Sequence, residues 1–345
     1  MCKHRIRTTS LFPLALAAAI AAAPLASAAT TDTAPAEAGW KILDTVGTPH
    51  KRHECAFVGC GDAMYLIGGR RVQPVDRFDP KTKTWTHASP PPVEIHHFQP
   101  VVWRGKIYLA SAMTGPYPHE TGLPTILIYD PKTDTWETGP EIPPERRRGG
   151  AGCVIVGNTL YLIAGIIDGH WSGHVKWLDA LDLETGQWRV LPDAPHARDH
   201  FQAAVIDGKI YAAGGRRSSA ATGDTFNLLV PEVDVFDLAS QTWTTLENAP
   251  LPTPRAGTST IAIGFDLIVA GGESVQKVAH NEVEALDTRT STWRSLPSLA
   301  RGRHGTGLVL WNGALYTASG SGNRGGGPEL ESIERWELPA PQPEN

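Results

Sequence analysis

Five times the chain places a tryptophan six residues after an aspartate: Asp79/Trp85, Asp130/Trp136, Asp182/Trp188, Asp237/Trp243 and Asp287/Trp293. Successive tryptophans stand 51, 52, 55 and 50 residues apart. Self-similarity at a period near fifty residues marks an array of β-rich units, none of which buries a core alone. The period constrains the fold and also supplies an internal control. What recurs in every unit reads as architecture; what departs from the pattern is a candidate for chemistry.

A second landmark gives the grammar of one unit. Met64-Tyr65-Leu66-Ile67-Gly68-Gly69 returns at 210–215 and 267–272, with weaker copies at 108–112, 161–165 and 316–320. Each unit reads as four short strands: a, a tight turn, b ending at the small-residue pair, c ending near the aspartate, and d carrying the tryptophan. Small pairs suit strands that crowd toward an axis. Four-stranded units repeated radially build a β-propeller. The last unit stops at Ser332–Trp336 without a d strand, while Gly39-Trp40-Lys41-Ile42-Leu43 is an orphan d strand at the other end. The expected fold is therefore all-β, a six-bladed propeller over residues 39–338. The segment around Trp40 would complete the last blade and close the ring, leaving no exposed edges.

The paired glycines, the aromatic three residues before them and the downstream tryptophan resemble the repeats of the Kelch family across residues 40–338. That resemblance agrees with the propeller fold reached from the repeat itself.

The first 28 residues differ in character. Lys3, Arg5 and Arg7 precede an apolar run from Leu11 to about Ala23, and Ala26-Ser27-Ala28 offers a small-residue cleavage site. This pattern predicts a secretory signal peptide, followed by a short linker at 29–38; residues 339–345 form a tail. The run is too short to span a bilayer, and no other stretch is apolar enough, so no membrane insertion is expected. The protein is expected to be exported, to the periplasm or outside the cell. Removing three cations and no acids takes the formal net charge from −5 to −8, which argues against a nucleic-acid partner. Cys55, Cys60 and Cys153 remain. An odd count argues against a disulfide framework, and the three read as small buried hydrophobes on strands.

In such a blade the d–a and b–c loops share one rim. That rim receives His53, His96, His97, His200 and His304 from d–a loops, and His119, His170, His174 and His280 from b–c loops. The opposite rim carries short turns without a histidine. Binding and catalysis concentrate where a rigid scaffold gathers loops, so the histidine rim is the expected working face. Thirteen residues before each strand-b aromatic position stand Arg52, Ile95, Arg148, Arg198, Arg255 and Arg303. Two readings stay open for this ring: repeat grammar satisfied by carbonyls, or an electropositive funnel that binds an anion. The next two positions inward are His53-Glu54, His96-His97, Gly149-Gly150, Asp199-His200, Ala256-Gly257 and His304-Gly305. Small residues suffice in two blades, so the backbone does not require histidine there.

These residues define the expected site. His53, Glu54, His97, His200 and His304 are candidate acid/base groups. Candidate substrate-binding groups are Arg52, Arg70, His96, His119, Arg148, His170, Trp171, Arg198, Arg216, Arg255, Glu273, His280, Arg303 and Arg324. Within the Kelch resemblance, exported six-bladed mutarotases that move a proton on an acidic sugar imply a small acidic sugar as partner. Elimination on a uronate polysaccharide uses the same residue types. A binding module for an anionic glycan or peptide is the non-enzymatic alternative. No cofactor is expected. Copper chemistry of the galactose-oxidase kind lacks its spare tyrosine–cysteine pair; another metal on His97, His200 and Glu54 stays open, since imidazole and carboxylate suit zinc or iron, although no short-spaced ligand motif stands behind it.

Overall fold

Strand b is apolar without alternation because neighbouring blades cover both its faces. In Ala63–Gly68 every residue is buried. The computed structural model describes residues 39–339. Among them, six four-stranded antiparallel sheets follow the order a-b-c-d, the first being Cys55–Cys60, Ala63–Gly68, Val75–Asp79 and Thr84–Ala88. The core lies between adjacent blades: Tyr65 and Ile67 of blade one pack in one cluster with Leu109 and Tyr129 of blade two. In the sixth blade, Val309–Trp311, Ala314–Ala318 and Ile333–Glu337 are joined by Lys41–Ile42 as outer strand. Lys41 stands opposite Arg335 and Ile42 opposite Glu334. The rings of Trp40 and Trp336 lie 6.0 Å apart. The expected signal peptide, linker and all but the first residue of the tail lie outside the described residues.

The Asp-to-Trp spacing serves two local purposes. Each aspartate caps the c–d turn; Asp79 Oδ1 accepts from the Lys81 and Thr82 amides at 2.8 and 3.3 Å. Four of the tryptophans reach back to the preceding blade. Trp136, Trp188, Trp243 and Trp293 donate their indole N–H to the carbonyls of Ser89, Glu141, Pro192 and Ala249 at 2.8–3.1 Å. The tryptophan thus rivets one blade to the one before it.

The arginine ring belongs to this grammar. Arg52, Arg148, Arg198, Arg255 and Arg303 are fully buried. Each donates to the carbonyl sixteen residues ahead, at the end of its own strand b: Gly68, Ala164, Gly214, Gly271 and Ser319. Each also pairs with a carboxylate on strand c, namely Asp76, Asp179, Asp234, Glu284 and Glu334. Blade two replaces both members at once. Ile95 takes the arginine position and Leu127 the acidic one, and the two are buried in the same apolar cluster. The anion-binding funnel is therefore corrected: these five guanidinium groups are consumed within their blades, between carbonyls that need donors and a carboxylate that needs a cation.

A seventh four-stranded sheet sits outside the blades, built from b–c loops of blades two and three. Met113–Thr114 and Thr121–Gly122 pair with each other, Ile166–Asp168 pairs with Ser172–His174, and Asp168 joins the two hairpins through Thr121. It fixes the loop that carries His170. Cys55, Cys60 and Cys153 are free thiols, buried on strands. Burial pushes the Cys55 thiol up to about 12.

Candidate functional site

One backbone position recurs at the axis. Glu54, His97, Gly150, His200, Gly257 and Gly305 all adopt left-handed backbone, with φ of 55°, 54°, 59°, 55°, 62° and 64°. They link hand to hand around the channel. His97 N donates to Glu54 O at 3.0 Å, Gly150 N to His97 O, His200 N to Gly150 O, Gly257 N to His200 O and Gly305 N to Gly257 O. The Cys55 amide closes the ring onto Gly305 O at 3.1 Å, and glycine meets the left-handed conformation in three blades without strain. A residue with a Cβ costs about 1–2 kcal/mol there. Three blades accept that cost to aim Glu54, His97 and His200 at the axis. Such outliers gather at functional sites.

Neighbouring groups fix the tautomers. His96 Nε2 lies 3.4 Å from the Gly115 carbonyl, which only accepts, so its Nδ1 is left as an acceptor for the Nδ1–H of His97 at 2.6 Å. His97 Nε2 then carries a lone pair; it lies 2.9 Å from Glu54 Oε2 and has no hydrogen-bond partner. Asp199 holds His200 Nδ1 at 2.5 Å and is itself held by the amide and hydroxyl of Ser218. Glu120 holds His170 Nδ1 at 2.9 Å and accepts from Arg70 at 2.5 Å. The Nε2 atoms of His170 and His200 face each other at 3.0 Å. Across the axis, His304 Nε2 donates to the carbonyls of Asn323 and Gly325, and its Nδ1 lies 3.8 Å from Glu54 Oε1. Glu273 completes the group, 3.4 Å from His304 Nε2 and 2.5 Å from Arg216 Nη1.

Burial sets the protonation of this cluster. It holds His97 well below the ordinary imidazole range despite the pull of Glu54. It likewise lowers His200, with Arg216 adding to the effect, and brings His96 down to about 4, with Arg70 adding to it. On Glu54, burial pushes upward, but His97 and His304 hold the carboxyl well below its usual range. Glu273, raised by burial and lowered by His304 and Arg216, ends at about 2. Glu54 and Glu273 are thus held toward the carboxylate form, and His96, His97 and His200 toward the neutral imidazole.

Glu54 and His170 open into a cavity of about 410 Å³, walled by His53, Arg70, Tyr117, Arg216, Phe226 and Glu273. The Arg216 guanidinium sits 5.2 Å from the Phe226 ring. Of the expected catalytic residues, Glu54, His97, His200 and His304 converge at the axis, while His53 stands on the cavity wall and bonds Glu329 at 2.8 Å. His170 joins them from blade three, Arg70, Arg216 and Glu273 line the cavity, and His96 backs His97. His119 and Trp171 pack with tilted rings 4.8 Å apart on the outer rim. His280 is turned to Ser274 and Glu282. Arg324 bonds the Val275 carbonyl and lies 5.5 Å from Phe226.

Residues 33–215, and again 142–320, match the KLHDC2/KLHL20/DRC7 Kelch-repeats domain. The chain belongs to this Kelch-repeat family. It is 29% identical over 312 residues to the Kelch-like protein terF of Aspergillus terreus, covering 84% of this chain and 66% of that one. It is 26% identical over 201 residues to the Kelch repeat protein C2 of vaccinia virus strain Western Reserve, covering 57% and 36%. The chain thus spans about a third to two thirds of the length of these curated relatives. The solved structure of YjhT superposes with a TM-score of 0.69 at 17% identity, over 84% of this chain and 96% of that one. That likeness is one of fold.

Within the Kelch grammar, the strand-c acids escaped the sequence reading although their register was visible: four of the five stand three residues before the repeated aspartate. Asp199 was legible as the neighbour of His200, but its role as a clamp was not. Phe226 and Glu329 lie in long b–c loops without a repeat partner, so no internal comparison singles them out. Glu120 depends on Gly169, where a Cβ would meet its carboxylate at 2.0 Å.

Proposed function

We propose that the protein is an enzyme of small sugar-like molecules, moving a proton on an acidic sugar in the manner of a mutarotase or epimerase. The observation that carries this reading is the occupation of three glycine-adapted axial positions by Glu54, His97 and His200. Glu54 is the base. It reaches the cavity, is held toward the ionised form, and has His97 Nε2 2.9 Å from one oxygen and His304 Nδ1 3.8 Å from the other. A base within hydrogen-bond reach of its proton contributes about 10²–10⁴-fold to rate. With the arginine ring consumed in the blades, Arg70 and Arg216 are the arginines that line the cavity, and a sugar carboxylate there would share them with Glu120 and Glu273. Tyr117 and Phe226 supply aromatic faces for the ring. The signal-like segment 1–28 supports an exported enzyme, acting in the periplasm or outside the cell, with no part for nucleic acid or membrane.

Incubation with sialic acid tests the reading, with α–β anomer exchange followed by NMR. Exchange above the buffer rate is expected, and Glu54→Gln lowers it by about 10²–10⁴-fold. Unsaturated product absorbing near 235 nm from uronate oligomers (the wavelength ordinary for such alkenes) would instead identify a lyase. Binding of either sugar without turnover would leave a binding module and overturn the enzymatic reading.

A further inference from the structure

We infer that His97, His170 and His200 form a binding site for a divalent transition-metal ion, through their Nε2 atoms. The inference goes beyond the proton-transfer reading and stands whether or not that reading does.

The three imidazoles come from three blades, by way of two d–a loops and one b–c loop, and one ring nitrogen of each lies within 4.8 Å of the others. The His97 ring meets the other two edge-on and those two are tilted to each other, with centroids 4.6–5.0 Å apart. What decides the matter is the far side of each ring. Asp199 on His200 and Glu120 on His170 are buried carboxylates, which accept the Nδ1–H and leave Nε2 bare. His96 does the same for His97. Carboxylate–histidine pairs of this kind orient metal ligands and raise their basicity. Two bare nitrogens at 3.0 Å repel unless something positive lies between or beside them. Bonds of about 2.0–2.1 Å from each nitrogen to one ion reach that separation near a right angle. His97 Nε2 is buried without a hydrogen-bond partner, as expected of a ligand atom.

Charge points the same way. Four buried carboxylates, Glu54, Glu120, Asp199 and Glu273, meet only two guanidinium groups here, Arg70 and Arg216. Counting these carboxylates and guanidinium groups alone, two negative charges are left over, and a divalent cation balances them. The group formed by His50, Asp76 and His87 provides the contrast. Its ligand atoms are equally close, but Asp76 already pairs with Arg52 at 2.6 Å. Three imidazoles beside the Glu54 carboxylate suit zinc or iron. The open side faces Glu54 and the cavity, where a ligand oxygen could bind.

The test uses the full chain, stripped with a chelator, dialysed, and titrated with cobalt(II) or zinc(II) chloride. One equivalent should bind, with visible d–d bands for cobalt. Glu120→Gln and Asp199→Asn should each weaken binding about 10–100-fold, the usual cost of removing a ligand's outer partner. His170→Ala should weaken it further, and His304→Gln should leave the stoichiometry at one. Melting curves establish that each variant is folded, and the two amide variants carry the test if His170→Ala does not fold. A folded parent that binds neither ion stoichiometrically overturns the inference. So do amide variants that bind as tightly as the parent.

Discussion

Glu54 shows how a single residue can be legible as an anomaly before its chemistry is known. Its blade offers a carboxylate where three blades have glycine, and the left-handed backbone with φ of 55° explains why glycine is the easy choice. The substitution Glu54→Gly should therefore remove about 1–2 kcal/mol of backbone strain. It also relieves a buried carboxylate set beside Glu273. The expected outcome is a melting temperature equal to or above the parent's, together with lost turnover, as measured by thermal denaturation and anomer exchange. A clear fall in melting temperature would mean that Glu54 is a structural residue. The histidines were readable for the same reason, by comparison across six blades. Phe226 and Glu329 were not singled out, because each sits in a loop that no other blade repeats, and Glu329 finds its partners, His53 and Arg71, on the far side of the sequence.

At the scale of the element, the blade is pinned from inside. Arg255 spans strands b and c, bonding Gly271, Val269 and Glu284. Removing one member of a buried ion pair leaves an uncompensated charge and costs about 3–5 kcal/mol. Blade two shows the alternative, since Ile95 and Leu127 fill the same two positions with apolar side chains. Arg255→Ile alone should lower stability by about 3–5 kcal/mol in denaturant melts. The pair Arg255→Ile with Glu284→Leu should regain most of that loss, a coupling that a double-mutant cycle measures directly. Additive losses would contradict the pin. The arginine ring was visible in the sequence, and both of its readings were sound physics. Only the position of the strand-c acids, three residues before the repeated aspartates, separates a pin from a ligand site.

At the scale of the molecule, the six blades and their order were legible because repetition multiplies a weak local signal six times. The pairing of Lys41–Ile42 with Ile333–Glu337 brings the two ends of the described chain into one sheet. The rim sheet of blades two and three was not legible, since its strands are two or three residues long and occur once. The central claim is that architecture resides in what repeats and function in what breaks the repeat. It can be tested by giving every blade the same axial residue, in the triple variant Glu54→Gly, His97→Gly and His200→Gly. The decisive measurement is its rate of sialic acid anomer exchange beside the parent's, on protein whose melting curve shows a folded propeller. A folded variant with exchange at the buffer rate is the predicted result. A folded variant that exchanges anomers as fast as the parent would contradict the claim.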